Sequence, residues 1–187
     1  MPSCKICNQG ASLDDDYFRT VLLMRRDVGD HPAAAQLITK LHQSWERPEG
    51  QGLARFFANN VRDVEVRTPG GLIVERAPGF TVDNTRLARV LERITRGLYF
   101  REKGERVRGT HRVIVNPAFE RDQPSIAAAL RYVTGRDPVK IGDVFWYAWN
   151  AASDEPSTTI WLMVFYDAVP FVALTANPSL HDATNIE

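Results

Sequence analysis

The stretch that decides the fold is Thr158-Thr159-Ile160-Trp161-Leu162-Met163-Val164-Phe165-Tyr166, followed after Asp167-Ala168 by Val169-Pro170-Phe171-Val172-Ala173-Leu174-Thr175. Both runs are rich in β-branched and aromatic residues, which favour strands. Two intervening residues suit a tight turn, so the two runs are expected to form a hairpin. Val144 to Trp149 is a third run of the same kind. We therefore predict a C-terminal antiparallel β-meander with an aromatic inner face.

A central amphipathic helix precedes this meander. Its apolar positions recur at helical spacing: Leu87, Val90, Leu91, Ile94, Leu98 and Tyr99. Asp83 stands at the expected N-cap and Gly104 at the expected end. Between helix and meander, Val113 to Val115 predicts a strand and Pro124 to Val133 a further helix.

The first third of the chain is predicted to be helical. Ser12 is the expected N-cap of a helix that ends at Gly29, with Asp15 completing a variant capping box. A second helix is expected over 32–46 and a short third over 53–61. Val64 to Val74 then predicts a β-hairpin. The fold class is therefore α+β, with one domain over residues 13–176, a separate segment over 1–12 and a flexible tail over 177–187.

Composition and charge exclude little. The 187 residues carry 23 basic and 23 acidic side chains, so overall charge gives no argument for a nucleic-acid or membrane partner. The sequence has no apolar run of the length that crosses a bilayer and no signal-peptide core. We expect a cytoplasmic protein with no membrane partner.

The only two cysteines, Cys4 and Cys7, have the spacing of a zinc knuckle. Zinc takes four ligands, so this Cys-x-x-Cys pair is half a site. None of the four histidines, His31, His42, His111 and His181, has the spacing that would complete a finger. Three interpretations stay open: a remnant zinc half-site, two inert surface thiols, and a redox pair.

Several stretches, in order, resemble a family of HNH endonuclease-like bacterial proteins. They are Pro2-Ser3-Cys4-Lys5-Ile6-Cys7-Asn8-Gln9-Gly10-Ala11-Ser12, Asp14-Asp15-Asp16-Tyr17-Phe18-Arg19, Ile94-Thr95-Arg96-Gly97-Leu98-Tyr99-Phe100, Trp161-Leu162-Met163-Val164-Phe165-Tyr166 and Val169-Pro170-Phe171-Val172-Ala173-Leu174. The resemblance covers most of the chain, and only its Cys-x-x-Cys-Asn carries chemistry. Residues 1–12 then correspond to the back half of the HNH motif, a remnant zinc-knuckle segment.

The resemblance implies a metal-dependent DNA endonuclease. In such a site a histidine acts as general base, a divalent cation such as Mg²⁺ stabilises the scissile phosphate, and two Cys-x-x-Cys pairs hold a structural zinc. Cys4 and Cys7 match the second zinc pair, and Asn8 matches the last lettered position of the motif. The first pair and the catalytic histidine have no counterpart here, so we expect this chain by itself to be inactive. A start codon upstream of Met1 is one hypothesis; a true truncation gives the same residues.

Charged and aromatic clusters offer further candidates. Asp14, Asp15 and Asp16 are interpreted as helix-capping charge, with a divalent-cation site as the alternative. Residues 86–112 hold nine basic side chains against three acidic ones. The arginines of the central helix, Arg86, Arg89, Arg93 and Arg96, are either a solvated face or a nucleic-acid-binding stripe. The aromatic residues of the meander are interpreted as core rather than as a base-stacking surface.

Two functions follow from these observations. The first is the body of an HNH-type DNA endonuclease. The alternative is a non-enzymatic nucleic-acid-binding or interaction module derived from such a nuclease, with DNA as the partner.

Overall fold

The computed structural model describes residues 5–68, 70–116 and 123–177, with the side chains of 5–10 and 123 excepted. The helices in these ranges are α1 (Lys5–Leu23), α2 (Arg26–Gly29), α3 (Pro32–Trp45), α4 (Gln51–Asn60), α5 (Asn84–Lys103) and α6 (Gln123–Val133). The strands are β1 (Val61–Arg67), β2 (Ile73–Phe80), β3 (Arg112–Asn116), β4 (Val139–Ile141), β5 (Phe145–Ala151), β6 (Thr159–Phe165) and β7 (Val169–Ala176). The α+β class is confirmed.

The chain divides into two compact units. The first comprises Met1–Ala35 and Asn84–Glu187, and the second comprises Gln36–Asp83. The expectation of one domain over 13–176 stays a prediction, and residues 178–187 of the expected tail lie outside the described part of the chain. No helix among the described residues is both long and apolar enough to cross a membrane.

A five-stranded antiparallel sheet in the order β3-β7-β6-β5-β4 organises the first unit. The three-strand meander is confirmed: β5 pairs with β6 from Phe145↔Phe165 to Ala151↔Thr159, and β6 pairs with β7 from Thr159↔Thr175 to Phe165↔Val169. The turn between β6 and β7 has positive φ at both Tyr166 and Asp167, which suits the right-handed twist of a hairpin.

One face of this sheet packs against α6. Ala129 and Val133 of α6 form a buried cluster with the even-numbered positions Leu162, Val164 and Val172. Side chains of a strand alternate between faces, so the even positions point one way and the odd positions the other.

The opposite face packs against α1 and α5. Phe18 of α1 lies 5.3 Å from the ring of Phe165 and 5.9 Å from that of Phe171, measured between ring centroids. Thr95 of α5 contacts the sulfur of Met163 at 3.9 Å. The central strands are therefore covered on both faces, which explains their nearly unbroken apolar sequence.

The second unit consists of the end of α3, α4 and the β1–β2 hairpin. Phe57 is 2% exposed and lies 5.0 Å from Phe80 and 6.4 Å from Trp45 between ring centroids. The predicted hairpin is confirmed, and it extends further than expected, from Val61↔Phe80 to Arg67↔Ile73.

Two local predictions are wrong. The first helix begins at Lys5, so Ser12 is inside α1 and is not its N-cap, and α1 ends at Leu23 rather than at Gly29. The capping interpretation of Asp14 to Asp16 is wrong for the same reason, because these residues lie in the middle of α1. Strand β4 was not expected, since its three residues are too few for an alternating pattern to be recognised.

Truncation of the buried Leu162 is expected to destabilise the first unit. Its side chain is 2% exposed in the cluster under α6, so Leu162→Ala should lower the free energy of unfolding by about 3 kcal/mol. The matched control is Leu130→Ala on α6, where the side chain is 48% exposed. Chemical denaturation measures both variants. Equal losses for the two would contradict the placement of α6 on the sheet.

Candidate functional site

The second cysteine of the Cys-x-x-Cys pair stands in the first turn of α1. Cys7 is the third residue of that helix, whereas Cys4 lies outside the described residues, as do the side chains of Cys7 and Asn8. A helix N-terminus favours the thiolate form of cysteine, which is the form that binds zinc. The backbone position of Cys7 thus suits a zinc ligand, but zinc takes four ligands and the Cys-x-x-Cys pair offers two.

The described side chains form no complete metal site of their own. Among the residues whose side chains are described, no three histidine, cysteine, aspartate or glutamate side chains are grouped so as to hold a metal ion. The Cys-x-x-Cys pair by itself therefore fits half of a zinc site.

Asp14 of α1 is the centre of an ion-pair network with α5. Its carboxylate accepts a hydrogen bond from Arg86 Nε at 2.9 Å and from Arg89 Nε at 2.7 Å, with Arg89 Nη2 at 3.1 Å. The Asp14 side chain is 11% exposed. Arg86 also donates to the carbonyl of Leu13 at 2.7 Å, so the guanidinium groups hold both side chain and backbone of α1.

The network continues along both helices. Arg93 pairs with Asp15 through Nη2 at 2.6 Å, one turn further along α5. The guanidinium of Arg86 also lies 4.2 Å above the centroid of the buried Tyr17 ring, which adds a cation–π contact. Arg96 turns back to Glu92 of its own helix at 2.7 Å.

Hydrogen bonds from the arginines lower the pKa of Asp14. The bond from Arg89 contributes most, partial burial opposes it by raising the pKa, and the bond from Arg86 lowers it again. Asp14 is therefore ionised in the folded protein at all ordinary pH values, and its charge is matched by two guanidinium groups.

These ion pairs give the predicted arginine stripe of α5 a structural role. Arg86, Arg89 and Arg93 face the carboxylates of Asp14 and Asp15. In the acid triplet, for which a cation site was the alternative interpretation, Asp14 and Asp15 pair with arginines of α5. The carboxylate of Asp16 lies 3.6 Å from Nη1 of Arg19 on its own helix. Nucleic-acid binding by the stripe stays a prediction.

The core interpretation of the meander aromatics is confirmed for the most buried members. Tyr147, Trp161 and Phe171 are each at most 1% exposed. The Tyr147 hydroxyl donates to Glu102 of α5, and burial followed by that bond raises the pKa of Tyr147 to about 12. The Tyr147 phenol therefore links α5 to β5 and serves the core.

The sequence interpretation named Asp14 but missed its ion pairs with α5. Its partners lie 72 and 75 positions away, so no local pattern joins them. The available signal was complementarity: an acid triplet on one amphipathic helix and an arginine row on another, each beside an apolar stripe.

Removal of the Asp14 charge is expected to destabilise the α1–α5 contact. Asp14→Asn should cost about 2 kcal/mol in unfolding free energy, because two arginines lose a charged partner. Asp16→Asn is the matched control, since Asp16 is 53% exposed, and it should cost less than about 0.5 kcal/mol.

The pH dependence of the Asp14→Asn effect has a defined sign. The folded-state pKa of Asp14 is below its ordinary value of 3.8, so the stabilisation is complete above pH 3.8 and disappears as pH falls through the lowered value. Denaturation series at several pH values should therefore show the wild-type and Asp14→Asn curves converging in acid. A pH-independent difference would contradict the charge origin of the effect.

Comparison with protein families, with curated proteins and with solved structures finds no match for this chain. The resemblance to HNH-type endonucleases therefore rests on the sequence stretches given above. The fold and the α1–α5 network rest on the structure of this chain alone.

Proposed function

We propose that this chain is the body of an HNH-type metal-dependent DNA endonuclease. The observation that supports the proposal is the position of Cys7 in the first turn of α1, a helix whose later residues are anchored in the core. Tyr17, Phe18, Val21 and Leu22 of α1 are all buried.

An anchored helix gives the zinc pair a fixed platform. The first half of α1 carries Cys7 and Asn8 of the motif, and the second half packs on the sheet and on α5. Structural zinc sites need their ligands held in tetrahedral geometry, which a helix fixed at its far end favours. The body then acts as the scaffold of the motif, and Asn8 stands one residue beyond the pair.

The remaining parts of the HNH motif come from outside these 187 residues in this proposal. The chain has two cysteines in total, so a second Cys-x-x-Cys pair is not among them. A bound divalent cation such as Mg²⁺ would stabilise the charge that develops on the scissile phosphate. The chain by itself contributes half of the zinc ligands and no general base at the matching position.

The alternative is a non-enzymatic nucleic-acid-binding module. The predicted arginine stripe gives it less support than the sequence suggested. Arg86 and Arg89 already share the Asp14 carboxylate, and Arg96 pairs with Glu92. A phosphate backbone would have to compete with these carboxylates for the same guanidinium groups.

The purified 187-residue chain is expected to hold less than one zinc per molecule and to leave plasmid DNA intact in Mg²⁺. Both expectations follow from the missing ligands and base. Elemental analysis after dialysis and a plasmid-nicking assay measure them, and Cys4→Ser with Cys7→Ser should remove the residual zinc. Mg²⁺-dependent cleavage by this chain, abolished in Asn8→Ala, would contradict the expectation of inactivity.

The genomic sequence ahead of the Met1 codon tests the proposal itself. The nuclease interpretation expects an open frame that encodes a Cys-x-x-Cys pair followed by a histidine. The extended protein should then bind one zinc and nick plasmid DNA. An in-frame stop codon directly ahead of Met1 would contradict the nuclease interpretation and favour the binding module.

A further inference from the structure

The second unit buries little of its own apolar surface. Phe57 is the one buried residue among the described residues of Gln36–Asp83. The β1–β2 hairpin of this unit leaves large apolar side chains exposed: Val61, Val64, Leu72, Ile73 and Val74. A two-stranded hairpin is marginally stable in water unless further strands or a helix pack against it. The hairpin therefore gains stability from any strand that pairs with it.

The two outer edges of the hairpin differ in what they offer such a strand. Strand β2 contains Pro78, which has no N–H, and an extra residue, Val74, where the register with β1 shifts. Both features interrupt the row of hydrogen-bonding groups along the outer edge of β2. Strand β1 has neither a proline nor an extra residue, and it pairs with β2 alone among the strands that the structure describes. Its outer edge is therefore the one suited to a further strand.

The charge of the hairpin suits a second copy of this chain rather than a nucleic acid. Residues 61–80 hold three arginines and three acidic residues, so the hairpin has no net charge. A nucleic-acid partner is attracted by an excess of basic side chains, which the hairpin lacks. A neutral surface on which both signs alternate can match its own copy. The charged residues are Arg62, Asp63, Glu65, Arg67, Glu75 and Arg76.

The order of charges along β1 selects one register for self-pairing. Facing side chains of antiparallel strands lie on the same face, so two copies of one strand pair about a central residue that faces itself. A charged central residue would face its own charge, which leaves Val64 and Val66 in the interior of β1. A centre at Val64 sets Asp63 against Glu65, two like charges. A centre at Val66 sets Glu65 against Arg67 on both sides of the axis, which is favourable.

Glu65 and Arg67 already lie side by side in the single chain. Arg67 Nη2 donates to Glu65 Oε2 at 2.6 Å, and both side chains remain about half exposed. Arg76 of β2 lies 3.6 Å from Glu65 Oε1, on the inner side of β1. Arg67 of a second copy would approach Glu65 from the outer edge. Each Glu65 would then have arginines on both sides, in a cluster of alternating charge.

We propose that the hairpin is a self-association surface, on which β1 pairs antiparallel with β1 of a second copy of this chain. Val66 faces its own copy at the two-fold axis, and Glu65 faces Arg67 on either side of it. The product is a four-stranded sheet in the order β2-β1-β1-β2, which leaves only the interrupted outer edges of β2 open. The surface uses none of the HNH-type residues, so the proposal stands independently of the nuclease proposal.

The dimer is expected to dissociate on dilution. The paired stretch covers residues 64–68 of each copy, which is a small interface by the standard of permanent dimers. Such an isologous contact closes on itself, because the same residues meet on both sides of the axis. The chain should therefore stop at the dimer and form no longer assembly through β1.

Sedimentation equilibrium of the whole 187-residue chain, over about 1–300 μM, tests the proposal. Glu65→Arg places like charges opposite Arg67 of the second copy, and Arg67→Glu places like charges opposite Glu65. Each should raise the dimer Kd at least about tenfold, because two attractive cross-strand pairs become repulsive. Arg19→Glu is the matched control, since Arg19 is 59% exposed on α1 and its reversal changes the net charge equally. It should leave the Kd within about twofold.

A mixture of the two variants separates association from folding. The Glu65→Arg chain presents two cations at positions 65 and 67, and the Arg67→Glu chain presents two anions there. Their heterodimer restores an opposite charge at both cross-strand positions, so a 1:1 mixture should regain a Kd within about threefold of wild type. A variant that had lost its fold would not recover on mixing.

The remaining outcomes overturn the proposal. A wild-type chain that is monomeric at every concentration would show that the β1 edge is left to a different partner. A dimer whose Kd neither reversal changes would place the contact elsewhere on the chain. Weakened association in both variants with no recovery in the mixture would show that the reversals act on the hairpin itself rather than on a pair of β1 strands.

Discussion

The Asp14 carboxylate, shared by Arg86 and Arg89, is the interaction on which the arrangement of the first unit depends. It joins α1 to α5 across more than seventy positions of sequence, and the two helices together cover one face of the sheet. With α1 held there, Phe18 reaches the rings of Phe165 and Phe171. A buried charge of this kind adds little net energy, but an unpaired one is costly, so it disfavours other packings of α1.

The same ion pairs give part of the basic charge of the chain a structural role. The arginines of the first turns of α5 neutralise Asp14 and Asp15, whereas Arg106 and Arg112 beyond the end of α5 have no described acidic partner. The local excess of basic residues seen in the sequence is therefore not one stripe. Its first half holds α1 in place through Asp14 and Asp15.

Local patterns predicted the elements well and their long-range contacts poorly. The periodicity of Leu87 to Tyr99 and the alternation in 158–175 predicted α5 and the meander, because those signals depend on neighbours in sequence. The start of α1 was misplaced because Ser12 and Asp15 imitate a capping box inside a helix that already runs from Lys5. The Asp14 pairs depend on tertiary packing, which no local pattern contains.

A double-mutant cycle between Asp14 and Arg89 tests this account most directly. Asp14→Ala, Arg89→Ala and the double variant, compared by chemical denaturation at neutral pH, give the coupling free energy of the pair. The account predicts a favourable coupling of at least about 1 kcal/mol, because the carboxylate is largely buried and is bonded twice by the guanidinium. Additive losses, with coupling below about 0.3 kcal/mol, would contradict the claim that this pair holds α1 on α5.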